Sequence, residues 1–470
     1  MISIDKTESN RWLQLWIVSS AAFLSVIDIF IVNVALPSIQ GGLHSTDGDL
    51  QLVIAAYLTG YAAFLITGGR LGDYLGKKRV FVAGMLLFTL LSCCCGLAQT
   101  AGQLNAFRFL QGVSAALMVP QSIAYIHLLF PLHEARIKAL GVYGSIAGTA
   151  SVIGQLLGGI IPDMHFLMDG WRWIFLINLP VGLIAAWLAV KYLHETPRVG
   201  ESRFDRSGVV LLTVMLVCLI YPLIRGRELG WPVWAVAMLV GSLVLLVVFI
   251  LDQRRKGLLQ QAPLIDLQLF GFRDFNVGLG AVLFYFMVQD SYFLINAVLL
   301  QNGLGFSSSL TGLLFAAQGI GYVVAAVSSI RLVKAYGRKV LIAGVLLMAV
   351  CLYGHIRLFR GDVHVSAGTC LLLFLYGMGC GSVLPSLLTL SMRSIPPAFA
   401  GAASGTYTTF QQTAVALGVG VSGGIFFGLL QGPSQAAGYE HAYAVATWVN
   451  IGFLLVTAGL LYLLPEKAEG

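Results

Sequence analysis

Roughly fourteen apolar stretches, each close to 20 residues, divide this chain and leave little between them. They run near 12–38, 48–70, 80–99, 103–127, 138–161, 171–193, 208–224, 232–251, 275–300, 309–330, 340–358, 366–390, 400–430 and 443–464. A helix of about 20 apolar residues crosses a bilayer core. At 58% hydrophobic and 10% charged residues, the chain is too apolar for a soluble protein of this length. The longest polar gap, near 252–274, cannot hold a soluble catalytic or signalling domain. The first run continues well past signal-peptide length and has no A-x-A-like site, so no cleavable signal is expected.

Orientation follows from Lys and Arg. With the N-terminus inside, one side collects Lys6, Arg11, Arg70, Lys77, Lys78, Arg79, Arg136, Lys138, Lys191, Arg198, Arg203, Arg206, Arg254, Arg255, Lys256, Arg273, Arg331, Lys334, Arg338, Lys339, Arg393 and Lys467. The opposite side has Arg172, Arg225, Arg227, Arg357 and Arg360. Both termini are therefore expected in the cytoplasm. This asymmetry accounts for the net charge of +7, with anionic lipid as the partner and no need for nucleic acid. The seven cysteines include no C-x-x-C pair, and the histidines are scattered. No metal site is expected.

A short basic phrase occurs twice. Gly69-Arg70-Leu71-Gly72-Asp73-Tyr74-Leu75-Gly76-Lys77-Lys78-Arg79 returns as Arg331-Leu332-Val333-Lys334-Ala335-Tyr336-Gly337-Arg338-Lys339, with Lys334 where the first copy has Asp73. Gly76 suits a tight turn needing positive φ. A helix–basic turn–helix unit repeated this way points to a duplicated transporter. The first copy resembles the loop signature of the major facilitator superfamily, and Gly69, Asp73, Gly76, Lys77 and Lys78 are the gating residues that resemblance implies.

Two carboxylates lie deep in apolar runs. Asp28, in Ile27-Asp28-Ile29-Phe30-Ile31-Val32-Asn33, costs roughly 2.5–3.5 kcal/mol to insert on the lenient scale. It is expected to face the bundle interior, as a functional group or as a structural carboxylate locked to a neighbour. Arg108, in the fourth run, shares a helix face with Gln111 and Gly112. Its guanidinium could reach Asp28, either for proton coupling or as a static staple. Asp290 has Phe286, Met287, Phe293 and Leu294 at i±3 and i±4. Such a setting suits a lipophilic cation, although an apolar stripe is also ordinary packing. Tyr407 and Gln111 complete the candidate substrate residues.

The fifth run carries Gly141, Gly144, Gly148, Gly154, Gly158 and Gly159, spacings that let helices approach closely. Gly154-Gln155-Leu156-Leu157-Gly158-Gly159 is similar to the superfamily's antiporter signature, with Gln155 where proline is usual, which removes one kink determinant. The sixth begins Trp171-Arg172-Trp173-Ile174-Phe175-Leu176-Ile177-Asn178-Leu179-Pro180, its tryptophans suited to the outer aromatic belt. Together these phrases resemble the fourteen-spanner drug:proton antiporter branch. That resemblance implies an all-α membrane protein of the major facilitator fold: a first six-helix bundle (12–193), two inserted helices (207–251) and a second bundle (275–464). The uncharged runs 208–224 and 232–251 are expected to be peripheral and lipid-facing, with Trp231 at the outer belt.

The function expected is export of amphipathic small molecules, cationic or neutral, in exchange for protons. Asp28 would load and release the proton while Arg108 stabilises the carboxylate in one state and burial disfavours it in the other. The expected protein is a monomer of the plasma (inner) membrane with no cofactor, driven by the proton gradient. An exporter of one endogenous metabolite fits the same residues. A peptide:proton symporter fits less well, because the Glu-x-x-Glu-Arg pattern typical of its first helix is absent around Asp28. A membrane sensor would need a signalling domain that the short loops cannot supply.

Overall fold

The computed structural model describes residues 2–164, 168–196, 205–259, 261–360, 365–396, 399–430 and 436–464. Arg198, Arg203 and Lys467, used above to orient the chain, lie outside them. Fourteen helices among the described residues are long and apolar enough to span a membrane. They are α1 (Asn10–Leu43), α2 (Asp47–Leu75), α3 (Lys77–Gly96), α4 (Ala101–Leu129), α5 (Glu134–Asp163), α6 (Gly170–Tyr192), α7 (Arg206–Glu228), α8 (Val233–Leu258) and α9 (Arg273–Gly303). Then follow α10 (Ser308–Tyr336), α11 (Arg338–Leu358), α12 (Ala367–Ser391), α13 (Ala400–Leu429) and α14 (Gly438–Tyr462).

The repeated loops show why their glycines are there. Gly76 ends α2 at φ +101° and Gly337 ends α10 at φ +55°, a region that side chains with a Cβ rarely occupy. Each loop is thus a one-residue turn that sends the chain straight into the next helix. The duplication extends into the packing. In the first bundle α2 packs on α4, α1 on α5, and α3 on both α4 and α6; in the second α10 packs on α12, α9 on α13, and α11 on both α12 and α14. A Cβ on Gly112 would meet the Tyr57 carbonyl, and one on Gly377 would meet the Gln318 carbonyl. Both halves therefore bring a helix pair to backbone contact through glycine.

The bundles meet along α5–α10, α2–α13 and α1–α9. At the face away from the basic loops the contact is tight. Gly159 lies against Gly312, Ser38 and Ser308 hydroxyls are 3.2 Å apart, and Gln301 donates to the Val34 carbonyl at 2.8 Å. Ser309 donates its backbone N–H (3.0 Å) and hydroxyl (2.6 Å) to Asp163. Toward the basic face α5 and α10 part: a Cβ on Gly141 or Gly144 would meet nothing within 4 Å. The bundles are joined on one face, and toward the other α5 and α10 part while α2 and α13 stay close, a Cβ on Gly405 meeting Ile66 at 3.2 Å.

The inserted pair is not uniformly peripheral. α8 buries 17% of its apolar window, whereas α7 buries 39% and packs against α2. Arg225 of α7 pairs with Asp49 at 2.5 Å and with Glu228 at 2.6 Å. The expectation of two lipid-facing helices holds for α8 and is corrected for α7, because the charges that anchor α7 lie just beyond its apolar run. At the basic face Asp205 accepts from Lys256 (2.5 Å), Gln253 (2.9 Å) and the backbone N–H groups of Gly208 (2.7 Å) and Leu264 (2.9 Å). Burial pushes its carboxyl up, but these hydrogen bonds outweigh that and hold it below the ordinary carboxylate value. Arg70 of the first loop donates to the Ala262 carbonyl at 3.2 Å, joining the loop to the linker before α9.

Trp171 departs from the expected outer belt. Its ring is 2% exposed and fills the space over Gly42 at the end of α1. Trp231, 46% exposed, fits the expected belt.

Candidate functional site

Asp28 and Arg108 form an ion pair with side chains 0% and 1% exposed. Two charges that deep are tolerated only when their remaining hydrogen-bonding capacity is met. Here it is met from three helices. Gln111 donates to Asp28 Oδ1 at 2.9 Å and Asn178 donates to the same oxygen at 3.2 Å, while Arg108 holds Oδ2. Arg108 Nε donates to the Val53 carbonyl at 3.0 Å and Nη1 to Gln111 Oε1 at 2.7 Å. Its guanidinium lies 4.4 Å from the Tyr57 ring centroid and 5.8 Å from that of Phe175, close enough for cation–π attraction. Behind the carboxylate, Asn178 donates to Ser92 at 3.0 Å, and Cys95 Sγ approaches Gln111 Oε1 at 3.6 Å.

Gln111, expected among the substrate residues, therefore lies wholly inside this network. Every partner of Asp28 among the described residues comes from the first bundle. The α4 repeat places Arg108 and Gln111 one turn apart on one face. The break in α6 at Ile177 sets Asn178 at the start of the following segment, where it reaches the same oxygen.

Asp290 is placed differently. It is 7% exposed and accepts one hydrogen bond among the described residues, from Asn33 Nδ2 at 3.4 Å. Asn33 follows Asp28 by five positions on α1, about 140° around a helix of 3.6 residues per turn. One helix thus turns Asp28 into the first bundle and Asn33 across to the second. Phe293 packs edge-on against Phe30 of α1 and Phe315 of α10, each with ring centroids 5.3 Å apart. Phe286 lies against Tyr285, and the Met287 backbone lies against Gly418 of α13. Phe286, Met287, Phe293 and Tyr407 are all buried in this state.

In the first basic loop Lys77 pairs with Asp73, Lys78 donates to the Val190 carbonyl at 2.8 Å, and the Lys77 N–H donates to Thr196 at 3.1 Å. A Cβ on Gly76 would run into Glu195, whereas one on Gly69 would meet only Pro120 at 3.8 Å. Among the described residues the side-chain bonds of Asp73, Lys77 and Lys78 stay within the first bundle and the end of its last helix. In α5, Gly154 and Gly158 lie against the α1 backbone, and Gly159 faces Gly312 of α10. Gln155 donates across the bundle interface to Gln318 at 3.3 Å, and the helix runs unbroken through it.

Three residues of the site went unassigned in the sequence: Tyr57, Asn178 and Asn33. Both asparagines sit inside the family-like phrases that carry Asp28 and Trp171. A polar amide in an apolar run was the signal available for each.

Two bundles of duplicated topology, joined along a closed face and with a buried ion pair inside the first, are the architecture of a membrane transporter rather than an enzyme. The chain belongs to the Major Facilitator Superfamily, whose family model matches residues 18–289 and 277–470. It is 34% identical over 433 residues to a protein of Streptomyces coelicolor described as a probable actinorhodin transporter, covering 91% of this chain and 75% of that one. It is 31% identical over 405 residues to the multidrug resistance protein Stp of Mycobacterium tuberculosis, covering 86% and 73%. A solved D-xylose-proton symporter aligns with a TM-score of 0.68 over 97% of this chain and 98% of that one, at 15% identity. That likeness is one of fold.

Proposed function

We propose that this protein exports amphipathic small molecules across the bacterial inner membrane in exchange for protons, with Asp28 carrying the proton. The observation that carries the reading is the Asp28–Arg108 pair, buried and hydrogen-bonded to Gln111, Asn178 and the Val53 carbonyl. A carboxylate retained at that depth does chemistry its protonated form alone could not. The two relatives, one a multidrug resistance protein and one described as a transporter of a single compound, support export of small molecules. Orientation follows the basic loops: both termini in the cytoplasm, the face where α5 and α10 part inward, the closed face outward.

In this reading the state seen here is loaded from the cytoplasm, with substrate entering between the parted ends of α5 and α10. Asp290, with Phe286, Met287, Phe293 and Tyr407, becomes a substrate surface as the bundles rearrange. The loop residues Gly69, Asp73, Gly76, Lys77 and Lys78 act in the inward gate by tying α2 and α3 to the end of α6. Gly154, Gln155, Gly158 and Gly159 let α5 slide on α1 and α10. The protein works as a monomer, without cofactor or metal. One proton moving down 100 mV supplies about 2.3 kcal/mol.

The test is proton release from reconstituted vesicles on adding cationic, neutral or anionic compounds. Release driven by several unrelated compounds supports multidrug export. The similarity to a single-compound transporter favours a second reading, a dedicated metabolite exporter, which predicts a response to one chemical class. No proton movement with any transported compound sinks the proton-coupled reading.

A further inference from the structure

The outer end of the α2–α13 seam is crossed by a helix that belongs to neither bundle. α7 packs on both α2 and α13, and the two contacts are chemically unlike. Toward α2, Arg225 Nη2 pairs with Asp49 at 2.5 Å, and its Nη1 donates to Thr46 at 2.9 Å and pairs with Glu228 at 2.6 Å. Asp49 also accepts from the Thr46 N–H at 3.2 Å and hydroxyl at 3.0 Å. A Cβ on Gly48 would run into Glu228. The end of α7 is thus bonded into the capped start of α2.

Toward α13 the described residues make no ion pair or hydrogen bond. Gly420, Gly424 and Gly428 recur every four residues and present a bare stripe to α7. A Cβ on Gly420 would lie 3.5 Å from Leu223 Cβ, and one on Gly424 or Gly428 would lie 3.8 or 3.6 Å from Arg227 Cδ. Arg227 Nε and Gln51 Oε1 are buried beside this seam and meet no hydrogen-bond partner among the described residues. Parting α7 from α2 would break charge-assisted pairs, the stronger class of hydrogen bond. Parting it from α13 breaks only van der Waals contact through glycine and opens two unmet polar groups to water.

We propose that α7 is a strap that moves with the first bundle, and that the outer face opens when α13 withdraws from beneath it. The ion pairs of Arg225 hold the strap to α2, and the glycine stripe is the surface it clamps. Its grip on α13 favours the closed outer face seen here. Bundle movement is that of the exporter reading above, but neither the proton nor a substrate is needed to observe it.

The test is hydrogen–deuterium exchange, read by mass spectrometry on the full chain in nanodiscs. It is read at residues 34–43 and 299–310, which join the bundles through Val34, Ser38, Gln301 and Ser308 rather than through α7. The pair Leu223→Cys with Gly420→Cys brings two Cβ atoms to a separation that a disulfide spans. The oxidised pair is expected to exchange there at least threefold more slowly than the wild type under the same oxidant, with dithiothreitol restoring the rate. Arg225→Ala frees the strap and is expected to speed the same segments at least threefold, while residues 133–144 on the opposite face slow. Arg225→Lys keeps the charge and is expected to fall between. Three results overturn the proposal: no disulfide-linked peptide joining 223 and 420, wild-type exchange in the linked protein, or a change in Arg225→Ala confined to α7 itself. With no substrate or pH gradient applied, the strap can hold where proton-coupled export fails, and the reverse.

Discussion

Asp28 accepts from Arg108, Gln111 and Asn178, whereas Asp290 accepts, among the described residues, from Asn33 alone, at 3.4 Å. The two acids are alike in depth and opposite in support. Among the described residues all the partners of Asp28 belong to its own bundle, so they travel with it when the bundles move. The partner of Asp290 belongs to the other bundle, so any parting of α1 from α9 removes it. In this state Asp28 is coordinated within its own bundle and Asp290 across the interface. The first suits the proposed proton carrier, whose affinity for the proton is then set by how closely Arg108 is held in each state. A substrate group benefits from the second, because it is released for binding when its protein partner leaves.

The largest expected effect separates the two directly. Asp28→Asn should abolish uphill, ΔpH-driven transport in vesicles while substrate binding and downhill exchange survive, since asparagine keeps the shape but has no exchangeable charge. Uphill transport retained by this variant would falsify the assignment and pass the role to Asp290. Arg108→Ala should come next. It leaves a buried carboxylate without its counter-charge, a change that costs about 3–5 kcal/mol in comparable buried pairs. Both a lowered melting temperature and lost coupling are expected, and Arg108→Lys should recover fold without full activity. If Arg108→Ala couples normally, the pair is a staple that transport does not need.

Asn178→Ala removes one donor from Asp28 and orphans part of the network, worth about 1–3 kcal/mol. Roughly tenfold slower proton-coupled transport is expected, with a displaced pH profile. An unchanged pH profile would mean that the asparagine only packs. Asp290→Asn is expected to act more selectively. It should weaken transport of cationic compounds several-fold and of neutral ones of similar size little, measured side by side in one vesicle preparation. Equal losses for both would erase the proposed difference between the acids. Asn33→Ala should have the smallest effect, because a single 3.4 Å hydrogen bond contributes at the low end of about 0.5–1.5 kcal/mol. A loss as large as that of Asn178→Ala would show that Asp290 depends on its partner as much as Asp28 does.

The basic loops and the inserted helices show how far pattern reading carries. Gly76 and Gly337 were legible as turns because positive φ is a local requirement, written in residue type and the basic residues beside it. Gly69 shares the motif but not the requirement, since a Cβ there meets only Pro120 at 3.8 Å. Runs 208–224 and 232–251 look alike in composition, yet α7 is pinned to α2 through Arg225 and Asp49 and α8 faces lipid. Hydropathy records that a segment prefers hydrocarbon. It is silent on whether the hydrocarbon is lipid or a neighbouring helix.

The sequence by itself determined the number of spans, the duplication, the family-like motifs and the depth of Asp28, Arg108 and Asp290. All of these follow from residue type and spacing along one chain. Tertiary structure decided what each of those side chains meets. It placed Gln111 on Asp28, brought Asn178 from α6 to the same oxygen, and buried Trp171 over Gly42. It also sent Asn33 across the interface to Asp290. Helical periodicity fixes which residues share a face, but the neighbour that face will meet is set by the packing of helices distant in sequence.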